Sequence, residues 1–283
     1  MKIIAKAIAL PLAAALIAAG CARKAPADEP MSTPPSAFDD ADDYNQWADS
    51  TGYAHGALLP QGAGGIYMDR FMSLPDDAGY ASGRIVIGDS RSCQLGIYQQ
   101  RARRTDFAAF AVWGGHYASG SKPPIMTDTL MFEVEKCFRK QIEAHESCTV
   151  FFFATVNDYD YERGENDSNI SEAVRAAERF ASMEYEYKGR THRPRVIVIG
   201  FDGCKKDESS FGGSAADEFN RYVSDYNAKL KAAVEASELL KAYAEYYTTV
   251  PEIVGETGFI SDRLHYDDAT LNKLCGYICE TGK

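Results

Sequence analysis

Gly88-Asp89-Ser90 follows an apolar run at 85–87 whose residue types are typical of a β-strand, and helix-compatible sequence comes after it. This order predicts that the Ser90 hydroxyl lies at the carboxyl end of a parallel strand, where open α/β sheets hold their ligand crevices. A serine hydroxyl in such a crevice can act as a nucleophile when a base accepts its proton. The same serine could instead be only the N-cap of the helix, a common role for serine.

Three later segments carry other residue types that acyl transfer needs. They are Trp113-Gly114-Gly115-His116, Thr155-Val156-Asn157-Asp158 and Ser261-Asp262-Arg263-Leu264-His265-Tyr266. The first two follow predicted strands, and the third precedes the predicted last helix. Asp262 is close enough to His265 in sequence for one turn to hold both side chains. Asparagine and aspartate are also ordinary turn residues, so each segment taken alone has a purely structural alternative.

The elements that must position these segments alternate along the chain. β-Prone apolar runs occur at 85–87, 107–113, 149–155, 196–200 and 243–248, and helices are expected at 127–145, 171–187 and 214–240. A last helix should start near Asp267 and bury Leu271, Leu274, Cys275 and Ile278. The continuous apolar runs are typical of strands buried on both faces. The sequence therefore predicts an α/β protein, a three-layer α/β/α domain around a five-stranded parallel sheet.

The amino terminus has the pattern of an export signal. Lys2 and Lys6 form a short positive region before an apolar segment at 7–19, which is short for a membrane span. Small residues directly before Cys21 resemble the lipobox of bacterial lipoproteins, which implies a lipid anchor on Cys21 and a location outside the cytoplasm. A plain secretory signal is the alternative. We expect a lipoprotein signal peptide at 1–20, a disordered tether at 21–45 and, at 46–81, an N-terminal extension packing on the domain.

Charge and cysteine content narrow the class of protein. The net charge of −11 and the pI near 5.0 argue against a nucleic-acid partner, because the 41 acidic residues outnumber the 30 Lys and Arg and leave nothing to neutralise phosphates broadly. The cysteines beyond Cys21 are even in number, which suggests disulfides after export: Cys93, Cys137, Cys148, Cys204, Cys275 and Cys279. Cys137 and Cys148 could close a local loop, whereas Cys275 and Cys279 share a helix face. No cluster has zinc spacing, so disulfides or burial are favoured over a metal site.

In order and approximate spacing, the four segments resemble the SGNH hydrolase family, the GDSL-type esterases and lipases. The resemblance comprises Gly88-Asp89-Ser90, a glycine after the second strand, Asn157-Asp158 after the third, and Asp262 with His265. It implies that residues 82–283 form a flavodoxin-like SGNH hydrolase domain that cleaves esters without a metal or organic cofactor. The nucleophile elbow of α/β-hydrolases fits less well, because that motif has glycine where this chain has Ser92.

Carried over by position, the resemblance implies a catalytic role for three residues. Ser90 would be the nucleophile that forms an acyl-enzyme, and His265 the base that takes its proton. Asp262 would orient His265 and stabilise its charged form.

The resemblance also implies an oxyanion hole. Its donors would be the backbone N–H groups of Ser90 and Gly115 and the side-chain amide of Asn157. Gly114 is adjacent, and it is the alternative to Gly115 as the donor from that segment.

Two positions depart from the family pattern and bear on substrate binding. Thr155 stands where the family usually has glycine, and Arg91 stands where leucine usually follows the serine. The Arg91 cation could attract an anionic group of a substrate or could pair with a nearby carboxylate, and the second reading is favoured. His116 could line the cleft, and Asp158 joins it as a candidate substrate-binding residue.

The expected function is hydrolysis of a carboxylic ester by an exported, membrane-anchored lipoprotein. Its surface location makes short acyl groups on saccharides plausible substrates. One alternative is an acyltransferase on the same scaffold, which would move the acyl group to a sugar hydroxyl. A second alternative, from a different class, is a non-catalytic surface lipoprotein that binds glycans.

Overall fold

The computed structural model describes most of the predicted domain. The described residues are 70–73, 82–102, 104, 106–112, 114–120, 124–158, 167–203, 213–259 and 265–281. The predicted signal peptide and tether lie outside these residues, as do Cys21, Cys204 and Asp262, and what the sequence says of them stays a prediction. Within the described part, no helix is long and apolar enough to cross a membrane.

Strands and helices alternate as the sequence predicts. The described strands are β1 (Arg70–Ser73), β2 (Arg84–Gly88), β3 (Ala108–Val112), β4 (Thr149–Phe153), β5 (Tyr185–Tyr187), β6 (Arg190–His192), β7 (Arg195–Gly200) and β8 (Tyr247–Thr249). The α-helices are α1 (Ser90–Arg101), α2 (Asp128–His145), α3 (Asp167–Ala181), α4 (Gly213–Ala236), α5 (Val250–Val254) and α6 (Asp268–Thr281).

The central sheet has six strands in the order β1-β3-β2-β4-β7-β8. The pairs from β3 to β8 are all parallel, so the predicted five-stranded parallel sheet is confirmed. Read along the chain, these five strands follow the flavodoxin-like order 2-1-3-4-5. In this order the carboxyl ends of β2, β3 and β4 lie side by side, where the three motif segments begin.

Both faces of the sheet are covered by helices, which makes the predicted three layers. All residues of β2, β3 and β4 are buried, as continuous apolar strands require. On one face, Ile87, Phe152 and Val198 pack with the buried sides of α2, α3 and α4. On the other, Val86 and Phe151 pack with α1, α5 and α6. The predicted stripe of α6 is buried as expected: Leu271, Leu274, Cys275 and Ile278.

One predicted helix is wrong at its carboxyl end. The helix expected at 171–187 is α3, which ends at Ala181, and β5 and β6 form an antiparallel hairpin beyond it. Lys188 and Gly189 connect the two strands with φ values of 51° and 73°. Two consecutive positive φ values are characteristic of the tight turn that joins hairpin strands. The two tyrosines of β5 stack with their ring centroids 6.2 Å apart, a contact that helical spacing would not provide.

The sheet also has an edge strand that the sequence does not predict. β1 pairs antiparallel with β3, with Arg70 opposite Val112 and Ser73 opposite Ala109. These four residues belong to the segment 46–81, which was expected to pack on the domain as an extension. β1 adds an antiparallel strand at the edge of the parallel sheet.

The expected disulfides are not present among the described cysteines. Cys93, Cys137, Cys148, Cys275 and Cys279 are free, so the proposed local bridge between Cys137 and Cys148 is wrong. Four of the five are buried, and Cys279 is half-buried. Burial raises the pKa values of Cys137 and Cys275 to about 12 each. Their thiols serve as small apolar side chains on opposite faces of the sheet.

Candidate active site

Ser90 lies at the first residue of α1, immediately after the turn that ends β2. The backbone of Gly88 packs closely against α1, because a Cβ atom at Gly88 would come within 2.2 Å of the Ser92 hydroxyl. The Ser90 side chain sits at the amino end of a helix, whose dipole stabilises negative charge. With 6% of its surface exposed, Ser90 is largely screened from bulk water.

His265 reaches Ser90 from the far end of the chain. Its Nε2 atom lies 2.8 Å from Ser90 Oγ, which is hydrogen-bond distance. His265 is also buried, with 8% of its surface exposed, and stands shortly before α6. A neutral imidazole with Nε2 unprotonated can accept the serine proton, so this pair has the geometry of a nucleophile and its base. The position of Asp262 lies outside the described residues.

Asp89 joins the first and third motif segments. Its carboxylate is 1% exposed and accepts hydrogen bonds from the Thr155 hydroxyl at 2.6 Å and the Arg91 backbone N–H at 3.0 Å. The Thr155 oxygen in turn accepts the backbone N–H of Asn157 at 3.1 Å. The Thr155 hydroxyl, which a glycine would lack, therefore links the backbone N–H of Asn157 to the Asp89 carboxylate.

The side-chain amide of Asn157 turns toward the second segment. Its Nδ2 donates to the Gly115 carbonyl at 3.1 Å and approaches Asp89 Oδ2 at 3.4 Å. The Gly115 N–H donates to the Val112 carbonyl at 2.9 Å. A Cβ atom at Gly115 would come within 2.8 Å of the same carbonyl oxygen, so the close turn requires glycine there. Gly114, just before it, has a φ of 65°.

Asp158 holds the loop that contains His116. Its carboxylate accepts the backbone N–H groups of Tyr117 at 3.0 Å and Ala118 at 3.1 Å. His116 Nδ1 lies 3.5 Å from Asp158 Oδ1, and a quarter of the His116 side chain is exposed. Burial raises the pKa of Asp158, and the hydrogen bonds from His116, Ala118 and Tyr117 oppose that rise. These contacts make Asp158 an anchor for the loop that contains His116.

Arg91 points away from solvent and is 3% exposed. Its Nη1 donates to the Asp202 carbonyl at 2.8 Å and to the Tyr266 hydroxyl at 3.1 Å. Its Nη2 donates to the Gly203 carbonyl at 3.1 Å. These three acceptors are two backbone carbonyls and a phenol, and the favoured pairing of Arg91 with a carboxylate stays a prediction.

The structure thus brings Ser90, Gly115, Asn157 and His265 to one edge of the sheet, as the motif order predicts. It adds residues that sequence reasoning did not assign: Thr155 as a link to Asp89, and Gln94 and Tyr266 as contacts between α1 and the His265 segment. Thr155 was visible only as a departure from a pattern. Gln94 and Tyr266 carry no motif, so no sequence signal identified them. Among the described residues, no group of three or more His, Cys, Asp or Glu side chains could hold a metal ion.

Comparisons with known proteins give only distant likenesses. No protein-family model matches the sequence, and no curated protein matches it. An aryl esterase of M. smegmatis is 11% identical with a TM-score of 0.47, over 71% of this chain and 98% of that one. A GDSL-like lipase of Bacteroides thetaiotaomicron is 12% identical with a TM-score of 0.43, over 84% and 96%. A carbohydrate acetylesterase of Sinorhizobium meliloti is 10% identical with a TM-score of 0.44, over 70% and 97%. Similarities this low carry no argument about activity, which must come from the site itself.

Proposed function

We propose that this protein is an SGNH-type serine hydrolase that cleaves a carboxylic ester through an acyl-enzyme on Ser90. The observation that carries the proposal is the 2.8 Å contact between Ser90 Oγ and His265 Nε2 at the carboxyl edge of the sheet. Helix capping does not require a histidine at that place. A serine that served only as a cap would need no base within hydrogen-bond distance.

In the proposed reaction, Ser90 Oγ attacks the ester carbonyl carbon while His265 Nε2 takes its proton. The tetrahedral intermediate collapses when the C–O bond to the alcohol breaks and His265 gives that proton to the departing oxygen. Water then enters, loses a proton to His265 and attacks the acyl carbon to give a second tetrahedral intermediate. The bond from the acyl carbon to Ser90 Oγ breaks, His265 returns the proton to Oγ, and the acid is released. Asp262 would orient His265 throughout, as the sequence resemblance implies.

The oxyanion of the intermediate would be stabilised by fixed donors beside Ser90. Asn157 has one amide hydrogen on the Gly115 carbonyl, which sets the orientation of the amide. Nδ2 lies at the longer distance of 3.4 Å from Asp89 Oδ2, so turning toward an oxyanion would give up the longer of its two contacts. The Gly115 N–H could join by sharing the hydrogen it now donates to Val112. Each such donor is worth about 10²–10³ in rate.

The substrate class and location follow from the sequence and are proposed on that basis. The signal and Cys21 favour an exported bacterial lipoprotein anchored in a membrane, which would meet acylated saccharides outside the cytoplasm. His116, a quarter exposed beside the site, is the candidate contact for the substrate alcohol.

Substitution of Ser90 tests the proposal, and Ser92 offers a matched control. Ser92 lies on the same helix, is fully buried, and its hydroxyl has no hydrogen-bond partner among the described residues. We expect Ser90→Ala to lower hydrolysis of an aryl acetate by about 10⁴-fold or more. It should also abolish labelling by a fluorophosphonate. Ser92→Ala should keep both the hydrolysis of the aryl acetate and the labelling by the fluorophosphonate.

The outcomes separate the proposed function from its alternatives. Undiminished hydrolysis by folded Ser90→Ala would overturn the proposal. Acetyl transfer to an added sugar in preference to water would indicate the acyltransferase. Wild-type protein that neither hydrolyses esters nor reacts with the fluorophosphonate would favour a glycan-binding role.

A further inference from the structure

The buried Arg91 guanidinium links three parts of the molecule. Arg91 follows Ser90 on α1, and its side chain runs to the loop after β7, where it donates to the carbonyls of Asp202 and Gly203. It also donates to the Tyr266 hydroxyl at 3.1 Å. Burying a cation is costly unless its hydrogens are bonded, so these acceptors hold the guanidinium in one orientation.

Tyr266 is the residue directly after His265, and α1 holds it at both ends. Its backbone N–H donates to Gln94 Oε1 at 3.0 Å, while its hydroxyl accepts from Arg91. The guanidinium carbon of Arg91 also lies 4.8 Å from the centre of the Tyr266 ring, within the range of a cation–π contact. Only 1% of Tyr266 is exposed, so its position is fixed within the core.

This arrangement bears on the distance between the nucleophile and its base. Ser90 and His265 come from elements far apart in the chain, yet their atoms must stay at 2.8 Å. A displacement of about 1 Å in an active site can lower the rate by about 10²-fold. Contacts from the helix of Ser90 to the neighbour of His265 are therefore well placed to maintain that distance.

We propose that Arg91 is a positioning residue, whose guanidinium fixes Tyr266 and thereby holds His265 against Ser90. The proposal rests on the catalytic function proposed for Ser90 and His265. In this proposal the Arg91 guanidinium binds groups of the protein and not an anionic group of the substrate, because both Nη atoms donate to protein acceptors and only 3% of the residue is exposed.

The chain offers a matched control at the opposite edge of the sheet. Arg84 begins β2 and is also buried, and it donates to two backbone carbonyls, those of Ser82 at 2.7 Å and Cys279 at 2.6 Å. Arg84→Met and Arg91→Met remove comparable interactions. Only Arg91 lies near the base, so a purely structural role would make the two variants alike.

The experiment compares Arg91→Met, Arg91→Lys and Arg84→Met in hydrolysis of a neutral aryl acetate. We expect Arg91→Met to lower kcat by about 10–100-fold with KM changed by less than about twofold. Arg91→Lys keeps the positive charge but lacks the planar guanidinium donors, so its kcat should lie between those of Arg91→Met and wild type. It also serves as the test variant if Arg91→Met does not fold. Arg84→Met should lower thermal stability and leave kcat unchanged.

Two results would overturn the positioning role. One is an unchanged kcat in both folded Arg91 variants, and the other is a KM increase confined to esters that carry a carboxylate, which would make Arg91 a substrate contact. A crystal structure of Arg91→Met or Arg91→Lys tests the inference apart from activity. We expect Nε2 of His265 to move out of hydrogen-bond distance of Ser90 Oγ, and retention of the 2.8 Å contact would contradict it. If wild type is inactive, this structural result alone decides the positioning role, and the catalytic function fails separately.

Discussion

At the scale of single residues, the site is built by polar side chains that bond to one another before any substrate arrives. The buried Asp89 carboxylate accepts hydrogen bonds from the Thr155 hydroxyl and the Arg91 backbone N–H. The Thr155 oxygen in turn accepts a hydrogen bond from the Asn157 backbone N–H. A buried carboxylate is stable only when such donors replace the lost water. The Asp of the Gly-Asp-Ser turn thus organises the neighbours of Ser90 without touching the reacting atoms.

Removing the Thr155 hydroxyl should expose this dependence. Thr155→Val keeps the shape but leaves Asp89 without its 2.6 Å donor, which should cost about 2–3 kcal/mol of unfolding free energy because the acceptor is charged. Thr155→Ser keeps the hydroxyl and removes one methyl group, at a cost of about 0.8 kcal/mol. Urea denaturation measures both values. Equal losses in the two variants would show that the hydroxyl is not what holds Asp89.

At the scale of elements, apolar periodicity in the sequence predicts the parallel strands and the last helix. It does not predict the hairpin, the edge strand or the partners of Arg91. The parallel strands and α6 are confirmed because continuous apolar runs and a buried stripe are strong signals. The helix predicted at 171–187 extends into β5 of the hairpin, because the tyrosines of β5 follow an amphipathic helix and no Asn-Gly turn marks the hairpin. β1 was missed because a short edge strand carries little apolar pattern. The partners of Arg91 could not be predicted, since neither Tyr266 nor the Asp202 carbonyl belongs to a motif.

Two glycines in contrasting elements should respond to alanine with opposite signs. Gly189 has a φ of 73° in the hairpin turn, whereas Gly276 lies inside α6, and a Cβ at either would meet nothing within 4 Å. Gly189→Ala should destabilise the fold by about 1–2 kcal/mol, because an alanine in the left-handed region is strained. Gly276→Ala should stabilise it by about 0.5–1 kcal/mol through the better helix propensity of alanine. Thermal and urea denaturation measure both changes, and the same sign in both variants would contradict the backbone explanation.

At the scale of the whole molecule, one sheet supplies both cores. Alternate residues of β4 face opposite sides, so that Phe151 packs with α1 and α6 while Phe152 packs with α2 and α3. The candidate site lies at the carboxyl edge, where the loops from both layers meet. Loss of packing in either layer exposes one face of the strands on which the other layer also packs. The two layers are therefore expected to unfold together, although larger domains can populate intermediates.

The reactivity of the buried thiols can show whether the two layers unfold together. Cys137 lies in one core and Cys275 in the other, and burial raises both pKa values to about 12, so little thiolate forms at pH 8 in the folded protein. In the reduced protein, we expect the half-buried Cys279 to react with iodoacetamide before Cys137 and Cys275, which should stay protected. With increasing urea, Cys137 and Cys275 should become reactive at the same midpoint, as measured by peptide mass spectrometry, because the shared strands couple the layers. Separate midpoints would show that one layer opens while the other stays packed, and would contradict the coupling through shared strands.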